Sequence, residues 1–552
     1  MDNRRFMLIA VVGVILFFMY QAWQKDYAPK PQSQPTSPTS SSDLPHVAGV
    51  PVDSVASAPS ASQRVIVFTD TMRVEISAEG GDLRRLELVG VPISKELGEQ
   101  NLYLLNDQTP NFFILQSGLI AAEGTAPDHR AVYGAGQAEY RLAEGLDRLE
   151  VPLTWREDGR EVVKTYVFKR NSYEIELRQT ARNSRDAPWQ LSPYVRFWRT
   201  PFSQSEDPPF VQTFIGVGWY ERKNGGERYR FSKLSFEDLD DDALRAQQTG
   251  GWVAMLQHYF MAAAIPSGEG LNSYFAKPKA LPDSPAPAYE AGYVGPQQLV
   301  AARGEKTFST QLYIGPKLQD RLETIAPGFE LAMDYGILTV LAEPLFWVLE
   351  KFHKLTGNWG WAIVLLTIAV KLVMWKLTEA QYRSMARMKK FAPRMQALKE
   401  RYADDREGMQ KAMMDLYKKE GFNPLGGCWP LLVQFPVFIA LYWVLLESVE
   451  LRQAPFILWI QDMSAPDPFY ITPVLFGVSM WFQQKLSGST MTMDPAQQRI
   501  MNIMPIALTA FFAFFPAGLV VYWLVSNMIG IGQQWWITRK LEREGTPKVK
   551  TA

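Results

Sequence analysis

Residues 359–377 read WGWAIVLLTIAVKLVMWKL, a stretch long and apolar enough to span a bilayer except that Lys371 lies inside it. A charge at the centre of a membrane helix costs about 2.5–3.5 kcal/mol on the gentler scales, so it must snorkel, pair or face water. Lys376 can snorkel to the interface, but Lys371 lies about 8 Å deeper. No Asp or Glu lies at comparable depth in the other apolar stretches. The sequence therefore favours a water-filled, positively charged groove that opens on one side of the membrane.

The composition divides the chain into two parts. Among 552 residues, 57 Lys and Arg balance 57 Asp and Glu, which gives no reason to expect nucleic acid binding. Apolar residues are concentrated in the last two hundred or so residues, which predicts a soluble domain joined to a membrane domain. The single cysteine, Cys428, excludes an intrachain disulfide and a CxxC motif. The four histidines lack metal-ligand spacing, so neither a metal nor a cofactor is expected.

The N-terminus predicts a membrane anchor followed by a linker. Arg4 and Arg5 precede a largely apolar stretch, residues 6–23, whose exit is bulky and charged where a cleaved signal peptide has small residues. We therefore expect residues 1–23 to form an uncleaved transmembrane helix with a cytoplasmic N-terminus. Residues 24–62 are rich in Pro and Ser and predict a flexible linker.

Residues 63–316 predict an all-β domain, because short segments that alternate or run apolar recur between Gly, Asn and Asp turns. Such segments lie at 65–68, 72–76, 86–89, 166–169 and 173–177. Long helical patterns are absent here, which favours a large β-sandwich. Residues 317–357 predict a short closing helix and then an amphipathic helix that begins with Pro344 in its first turn. That second helix is too short and too charged to span a membrane, so we place it on the outer surface.

Five further spans are predicted, within a membrane core at residues 358–538. They lie at about 359–377, 429–448, 469–484, 500–515 and 517–536. The segment 378–427 contains eleven Lys or Arg and the tail after Thr538 contains five, whereas the 449–468 loop has only Arg452. The positive-inside rule puts both termini and 378–427 in the cytoplasm, and residues 24–357 outside. Six transmembrane helices result, followed by a basic cytoplasmic tail at 539–552. Two of the spans are short, so either the flanking Gln483, Gln484 and Lys485 are drawn into the membrane or the bilayer thins locally.

The cytoplasmic segment 378–427 predicts a helical hairpin with a methionine-rich seam. Met385, Met388 and Met395 recur at helical spacing, and Met409 and Met413 lie on one face of a second helix. The seam either packs the two helices against each other or provides adaptable methionine side chains that bind apolar segments of different sequence. The basic residues of the hairpin are explained by topology, although a ribosome contact stays open.

Several long motifs resemble the signature of the YidC family of membrane-protein insertases. They are NPLGGCWPLLVQFPVFIALY at 423–442, VELRQAPF at 449–456, FPAGLVVYW at 515–523 and Ser526-Asn527. The order of parts is similar to that of Gram-negative members, which have an anchor, a periplasmic β-domain and a five-helix core with a cytoplasmic hairpin. The resemblance covers essentially the whole chain and implies a protein of the bacterial inner membrane. It also implies a periplasmic domain similar to sugar mutarotases but without catalysis.

The resemblance implies a function in membrane-protein insertion and not an enzyme. Family members pass nascent transmembrane segments along a hydrophilic groove into the lipid bilayer, alone or beside the Sec translocon. Lys371 matches the groove's basic position, where the family usually has arginine; lysine keeps the charge but loses the bidentate fork. A ribosome interaction is expected to be weak, or to run through the hairpin, because the basic tail is short. Substrate contacts carried over from the third, fifth and sixth helices are Gln434, Phe435, Pro436, Phe438, Phe511, Tyr522 and Trp523.

Further polar residues lie on the cytoplasmic halves of the spans, namely Gln434, Gln483, Asn502, Ser526 and Asn527. Each is either a helix–helix hydrogen-bonding group or part of the groove lining. Two other classes of protein were considered. A channel or secondary transporter usually shows paired repeats, and none is visible. An enzymatic β-domain needs a convergent acid and base, which scattered carboxylates do not establish.

Overall fold

The computed structural model describes most of the chain from residue 63 to residue 544. The described residues are 63–93, 100–202, 213–222, 229–282, 285–333, 335, 338–383, 394, 397–398, 401–402, 405–419, 429–487 and 495–544. The predicted anchor at 1–23, the linker at 24–62 and much of the hairpin and tail therefore lie outside the described residues.

Twenty β-strands fill the region from Arg64 to Pro316 and form two sheets. The first sheet has the order β14-β17-β18-β11-β5-β3-β2-β1-β7, with β19 beside β11 and β4 beside β3. Its strands are β1 (Arg64–Phe68), β2 (Met72–Ser77), β3 (Leu83–Pro92), β4 (Asn101–Leu105), β5 (Phe113–Ala121), β7 (Glu139–Arg141), β11 (Trp189–Arg199), β14 (Leu244–Thr249), β17 (Leu271–Pro278), β18 (Tyr289–Val294) and β19 (Gln298–Val300).

The second sheet has the order β13-β12-β15-β16-β20-β10-β9-β8-β6. All its pairs are antiparallel; in the first sheet β1 and β7 are parallel. Its strands are β6 (Gly134–Ala135), β8 (Arg148–Glu157), β9 (Arg160–Lys169), β10 (Glu174–Asn183), β12 (Gly216–Arg222), β13 (Tyr229–Ser235), β15 (Val253–Leu256), β16 (Phe260–Pro266) and β20 (Glu305–Pro316).

Alternation along the strands explains how the two sheets bury one core. In β10, Ile175, Leu177 and Ala181 are fully buried while the residues between them are largely half-exposed. These side chains pack with those of the first sheet, such as Leu86 and Leu115, in one cluster. A short helix, α1 (Phe236–Asp241), interrupts the strands and begins at Ser235 with a capping box. The predicted large β-sheet domain is confirmed.

Two helices connect the β-domain to the helical part. The first is α2 (Gln319–Ile325), and the second is α3 (Thr339–Thr356). The sequence placed Pro344 in the first turn of α3, but that prediction is wrong because the helix begins five residues earlier and Pro344 lies inside it. Trp347 and Leu355 are exposed on α3 while Phe346 and Leu349 are buried, so the helix is amphipathic.

The remaining helices form the helical part. They are α4 (Trp359–Val373), α5 (Trp375–Arg383), α6 (Arg406–Lys419), α7 (Trp429–Glu447), α8 (Ile471–Ser487), α9 (Pro495–Phe512) and α10 (Ala517–Glu544). Within the described ranges, no single helix combines the length and apolar character needed to cross a membrane. Together α4 and α5 have both, but they meet at an angle of 63°. The sequence had predicted one continuous span over 359–377, whereas the structure breaks it at Met374.

Candidate functional site

Lys371 lies on the face of α4 that points into the helical part. Thr367 and Ile363, about one and two turns earlier on the same side of the helix, are fully buried. On the opposite face, Leu372 and Val373 are largely exposed. Lys371 itself is half-buried, and it forms no ion pair or hydrogen bond with any residue that the structure describes. Lys371 therefore lies on the face of α4 that carries its buried residues.

The break after Lys371 changes the direction of the chain at the C-terminal end of α4. Met374 ends the helix with φ −85° and ψ 5°, and its N–H donates to the carbonyls of Val370 and Leu372. Helix α10 contacts the first residue after the break, because Gln533 Nε2 lies 3.5 Å from the Trp375 carbonyl oxygen. The ring of Trp536 meets Trp375 edge to face at 5.9 Å. The bend therefore lies against α10.

The predicted substrate-contacting residues fall into two groups, and the first is exposed. Phe435 on α7 is 58% exposed and Phe511 on α9 is 50% exposed. Gln434 and Pro436 beside Phe435 are half-buried, and Pro436 lies inside α7. Large apolar side chains on a helix surface are typical of contact with lipid or with another apolar segment. The aromatic side chains of this group are accessible on the surface of the helical part.

The second group is an aromatic cluster inside the helical part. Tyr522 on α10 is only 3% exposed. Trp523 is the centre of the cluster, with ring centroids 3.8 Å from Phe512 and 5.4 Å from Phe438, and with Phe476 at 6.1 Å. These rings come from α7, α8, α9 and α10, so they hold the four helices together. A substrate cannot reach Tyr522 unless the helices around it separate.

Two of the predicted groove residues form hydrogen bonds between helices. Asn527 Nδ2 of α10 donates to Ser479 Oγ of α8 at 3.1 Å. Gln483 Nε2, one turn after Ser479, lies 3.4 Å from the hydroxyl of Tyr382 on α5. For these two residues the helix–helix alternative is the one that the contacts support. The structure places Asn502 on the exposed surface of α9 and leaves Ser526 half-buried on α10.

Sequence reasoning missed the partners of these residues. Ser479 was not singled out, although its four-residue spacing from Gln483 puts both on one face of α8. Gln533 was missed as well, although it is polar, lies in an apolar helix and is 2% exposed. A search for polar residues at helical spacing within apolar stretches would have found both.

The β-domain contains a buried polar network that the sequence did not indicate. Arg196 donates to Glu290 Oε2 at 3.1 Å and to Gln116 Oε1 at 2.6 Å, and it lies 3.3 Å from His129 Nε2. Gln116 in turn donates to Asp82 Oδ2 at 2.9 Å. Each charged group is paired inside the domain, as a structural network requires. The described part of the chain contains no cluster of three or more His, Cys, Asp or Glu side chains that could bind a metal ion.

A second buried charge in this domain, Lys164, is likewise enclosed by acceptors. Its ammonium donates to the carbonyls of Gly80 and Ser117 at 2.5 and 2.8 Å and to Ser117 Oγ at 3.1 Å. Burial lowers the pKa of Lys164 to about 8, against the opposing field of Asp82 and Asp128. With all three N–H donors engaged, Lys164 has a structural role.

Comparison with known proteins assigns both parts of the chain. Residues 64–348 match the family described as the YidC periplasmic domain, and residues 351–544 match the family described as 60Kd inner membrane protein. Together the two matches cover the β-domain and the helical part, in the order that the resemblance predicted.

Full-length relatives agree with these matches. The chain is 46% identical to a membrane protein insertase YidC from Nitrosococcus oceani, over 99% of this chain and 100% of the relative. It is 44% identical to a membrane protein insertase YidC from Thioalkalivibrio sulfidiphilus, with the same coverage. A crystal structure of an active YidC insertase is 17% identical with a TM-score of 0.37, covering 86% of this chain and 92% of that one, and adds nothing to the assignment. On the strength of these sequence matches, the chain belongs to the YidC family of membrane protein insertases.

Proposed function

We propose that this protein inserts nascent transmembrane segments into the bacterial inner membrane through a positively charged groove that opens to the cytoplasm. The membrane topology in this proposal has six transmembrane helices, with both termini cytoplasmic and residues 24–357 in the periplasm. The basic residues of segment 378–427 support that orientation. So do Arg539 and Lys540 of α10, which lie over Trp535 and Trp536 as interfacial anchors do.

The observation on which the proposal rests is the position of Lys371. It follows buried Ile363 and Thr367 on the inner face of α4 and lacks a described ion partner. An unpaired charge inside a membrane domain is tolerated where water reaches it. We infer that Lys371 attracts the acidic or polar extracellular tail of a substrate into the groove. Lysine supplies the charge without the geometry of arginine, so the attraction is electrostatic and not bidentate.

The substrate's own apolar segment then moves along the outer faces of α7 and α9. Phe435 and Phe511 offer exposed aromatic surface there. Transfer of an apolar segment from the groove to lipid is favourable, at roughly 25 cal/mol per Å² of buried apolar surface. This burial drives the step without a nucleotide, and the chain has no GxxxxGK[ST] phosphate-binding loop.

The proposal includes two partners besides nascent membrane proteins, namely the Sec translocon and the ribosome. The family resemblance supports insertion both by this protein alone and together with the Sec translocon. A ribosome contact, if it forms, is expected to be weak or to use the hairpin at 378–427, most of which lies outside the described residues.

The electrostatic role is tested by reversing the charge. Lys371→Glu should lower the insertion of clients with acidic tails by at least about tenfold, because unit charges 4 Å apart interact by about 1 kcal/mol in water and about 4 kcal/mol at an effective dielectric of 20. Insertion is measured by protease protection of the client's tail in proteoliposomes. Lys376→Glu is the matched control, since Lys376 is exposed and free to snorkel. Equal loss in both variants, or no loss in Lys371→Glu, would contradict the role of Lys371.

The substrate path is tested by photo-crosslinking to ribosome-stalled chains that expose one transmembrane segment. Probes at Phe435 and Phe511 should crosslink once the segment has emerged. A probe at Trp481, which is exposed on α8, controls for random collision in the membrane. A probe at buried Tyr522 should crosslink less than the two exposed positions. Absence of crosslinks at both Phe435 and Phe511 would exclude this path.

A further inference from the structure

The periplasmic end of α7 is embedded in the β-domain. Val449, two residues after the helix, packs against the core of the two sheets. Leu441 and Leu445 of α7 share a second buried cluster with Trp252 and Met261 of the β-domain. Apolar packing of this kind resembles the interior of one domain more than a loose contact between two.

Polar contacts surround this apolar junction at the last turn of α7. His258 of the β-domain is buried, and its Nε2 donates to the Leu446 carbonyl at 3.0 Å, since a carbonyl can only accept. Lys317 forms a buried ion pair with Glu447 at 3.4 Å. Carbonyls at a helix C-terminus lack intrahelical partners, so donors from the β-domain satisfy groups that would otherwise be unpaired.

Arg452 makes the contacts farthest from the helix. Its Nη2 donates to the carbonyls of Pro92 and Ile93, at the end of β3, at 2.8 and 2.6 Å, and its guanidinium lies over the ring of Phe260 at 5.6 Å. Gln453 Nε2 donates to the Pro92 carbonyl at 2.9 Å. Gln453 also has a φ of +57°, a left-handed conformation that non-glycine residues adopt rarely. The connection after α7 is therefore held in a strained form by the β-domain.

We propose that Arg452 is a positioning residue, which docks the connection between α7 and α8 on the β-domain and so fixes the outer end of α7. The helix is about 28 Å long, and Gln434 to Phe438 lie in its first half, roughly 14–20 Å from the end that contacts the β-domain. With the outer end fixed, only the cytoplasmic half of α7, beyond Pro436, is free to move aside for a substrate. The link to insertion rests on the proposed function; the docking itself does not.

The docking is tested by a distance measurement in the full chain. Spin labels are placed at Val89→Cys on β3 and Ile457→Cys in the connection, both exposed positions, with Cys428→Ser as background. Arg452→Ala should broaden the distance distribution, because loss of hydrogen bonds from a charged donor raises the undocked fraction by about tenfold or more. Arg452→Lys keeps one charged donor and should give an intermediate result. Arg303→Ala, whose exposed side chain is ion-paired with Asp186, is the matched control.

Insertion by the same variants is measured in proteoliposomes. We expect Arg452→Ala to lower the insertion rate several-fold, with partial recovery in Arg452→Lys. An unchanged distance distribution in Arg452→Ala would overturn the docking role of Arg452. A broadened distribution with wild-type insertion would overturn the positioning role. If the wild-type protein inserts no client, the proposed function fails, while the distance measurement still decides the docking.

Discussion

Buried charges in the β-domain have partners within the chain, whereas Lys371 of the helical part has no ion partner among the described residues. In the β-domain, Arg196 and Glu290 are buried against each other, and Lys164 is surrounded by three acceptors. In the helical part, Lys371 lies on the inner face of α4 with no ion partner among the described residues. The first arrangement uses charge to specify one packed structure. The second leaves a half-buried charge without an ion partner among the described residues.

This difference separates structural polar groups from functional ones. A buried charge with a complete set of partners is fully explained by the fold. A charge that stays unpaired in a setting where pairing is strongly favoured needs an explanation outside the fold. On this criterion we place the proposed functional site in the helical part, whereas the network around Arg196 is structural.

The largest expected effect comes from removing the central carboxylate of the β-domain network. Glu290→Ala leaves Arg196, Lys277 and Lys279 without their shared anion, and Arg196 is 1% exposed and cannot lose its proton. The free energy of unfolding of the β-domain should fall by about 3–5 kcal/mol. Pulse proteolysis of the full chain in detergent, at increasing urea, measures it.

The control for Glu290 lies in the same domain. Glu305 pairs with Arg182 on the exposed surface, so Glu305→Ala should cost less than about 1 kcal/mol. Similar losses in the two variants would mean that the buried network is no more important than a surface ion pair, and the contrast between the two regions would disappear.

A pH effect at the junction of the two regions should be the next largest. Burial raises the pKa of Glu450 to about 7, its Oε2 has no hydrogen-bond partner within the described structure, and Asp320 and Glu350 add to the shift. Tyr335 lies near this carboxyl, and the backbone N–H of Gln319 donates to Glu450 Oε1 at 3.4 Å. The docked state therefore binds a proton that the undocked state releases near its ordinary pKa of 4.5.

The direction of the pH effect follows from that difference. Docking is unaffected by Glu450 below pH 4.5, weakens as the pH rises from 4.5 to 7, and stays weaker above 7. The total effect is on the order of 3 kcal/mol at most. Distance distributions between labels at Val89 and Ile457 should broaden from pH 5 to pH 8, and Glu450→Gln should remove this dependence. A matched Glu305→Gln variant should behave as wild type; persistence of the pH effect in Glu450→Gln would assign it to another group.

A smaller effect is expected where two helices of the membrane part touch. A Cβ on Gly477 of α8 would overlap Thr509 Oγ1 of α9, so Gly477→Ala forces the two helices apart. We expect a loss of about 1–3 kcal/mol, although alanine favours helix more than glycine does. Gly532 of α10 has open space around it, and Gly532→Ala should be neutral or stabilising by up to about 1 kcal/mol. Detergent-induced unfolding, followed by circular dichroism, compares the two; equal behaviour would show that close packing at Gly477 is unimportant.

Periodicity allowed the overall architecture to be predicted, because each strand buries one face. Segments such as 72–76 and 173–177 alternate, and they lie in β2 and β10. The network around Arg196 was not predicted, because Gln116, Arg196 and Glu290 lie on three different strands. The break at Met374 was also missed, because it contains no proline or glycine to indicate it.

For the candidate site, the sequence identified single residues better than their surroundings. Lys371 is conspicuous because a charge inside an apolar stretch is visible in one dimension. The burial of Tyr522 is not visible in this way, because it results from rings on other helices packing around α10. Asn527 and Gln483 were equally ambiguous, since a polar residue in a span bonds another helix or faces water, and only the partner's position decides between them.

The smallest expected effect would sharpen the comparison most. The hydrogen bond from Asn527 to Ser479 joins α10 to α8 at 3.1 Å, and neither residue is charged. A double-mutant cycle with Asn527→Ala and Ser479→Ala should give a coupling energy of about 0.6 kcal/mol, because the unfolded helices in lipid or detergent also find polar partners. The same cycle for Arg196 and Glu290 should give several times that value. A coupling energy near 0.6 kcal/mol would mean that Asn527 makes a modest structural contact. Zero coupling would favour the alternative that Asn527 lines the hydrophilic groove beside Lys371.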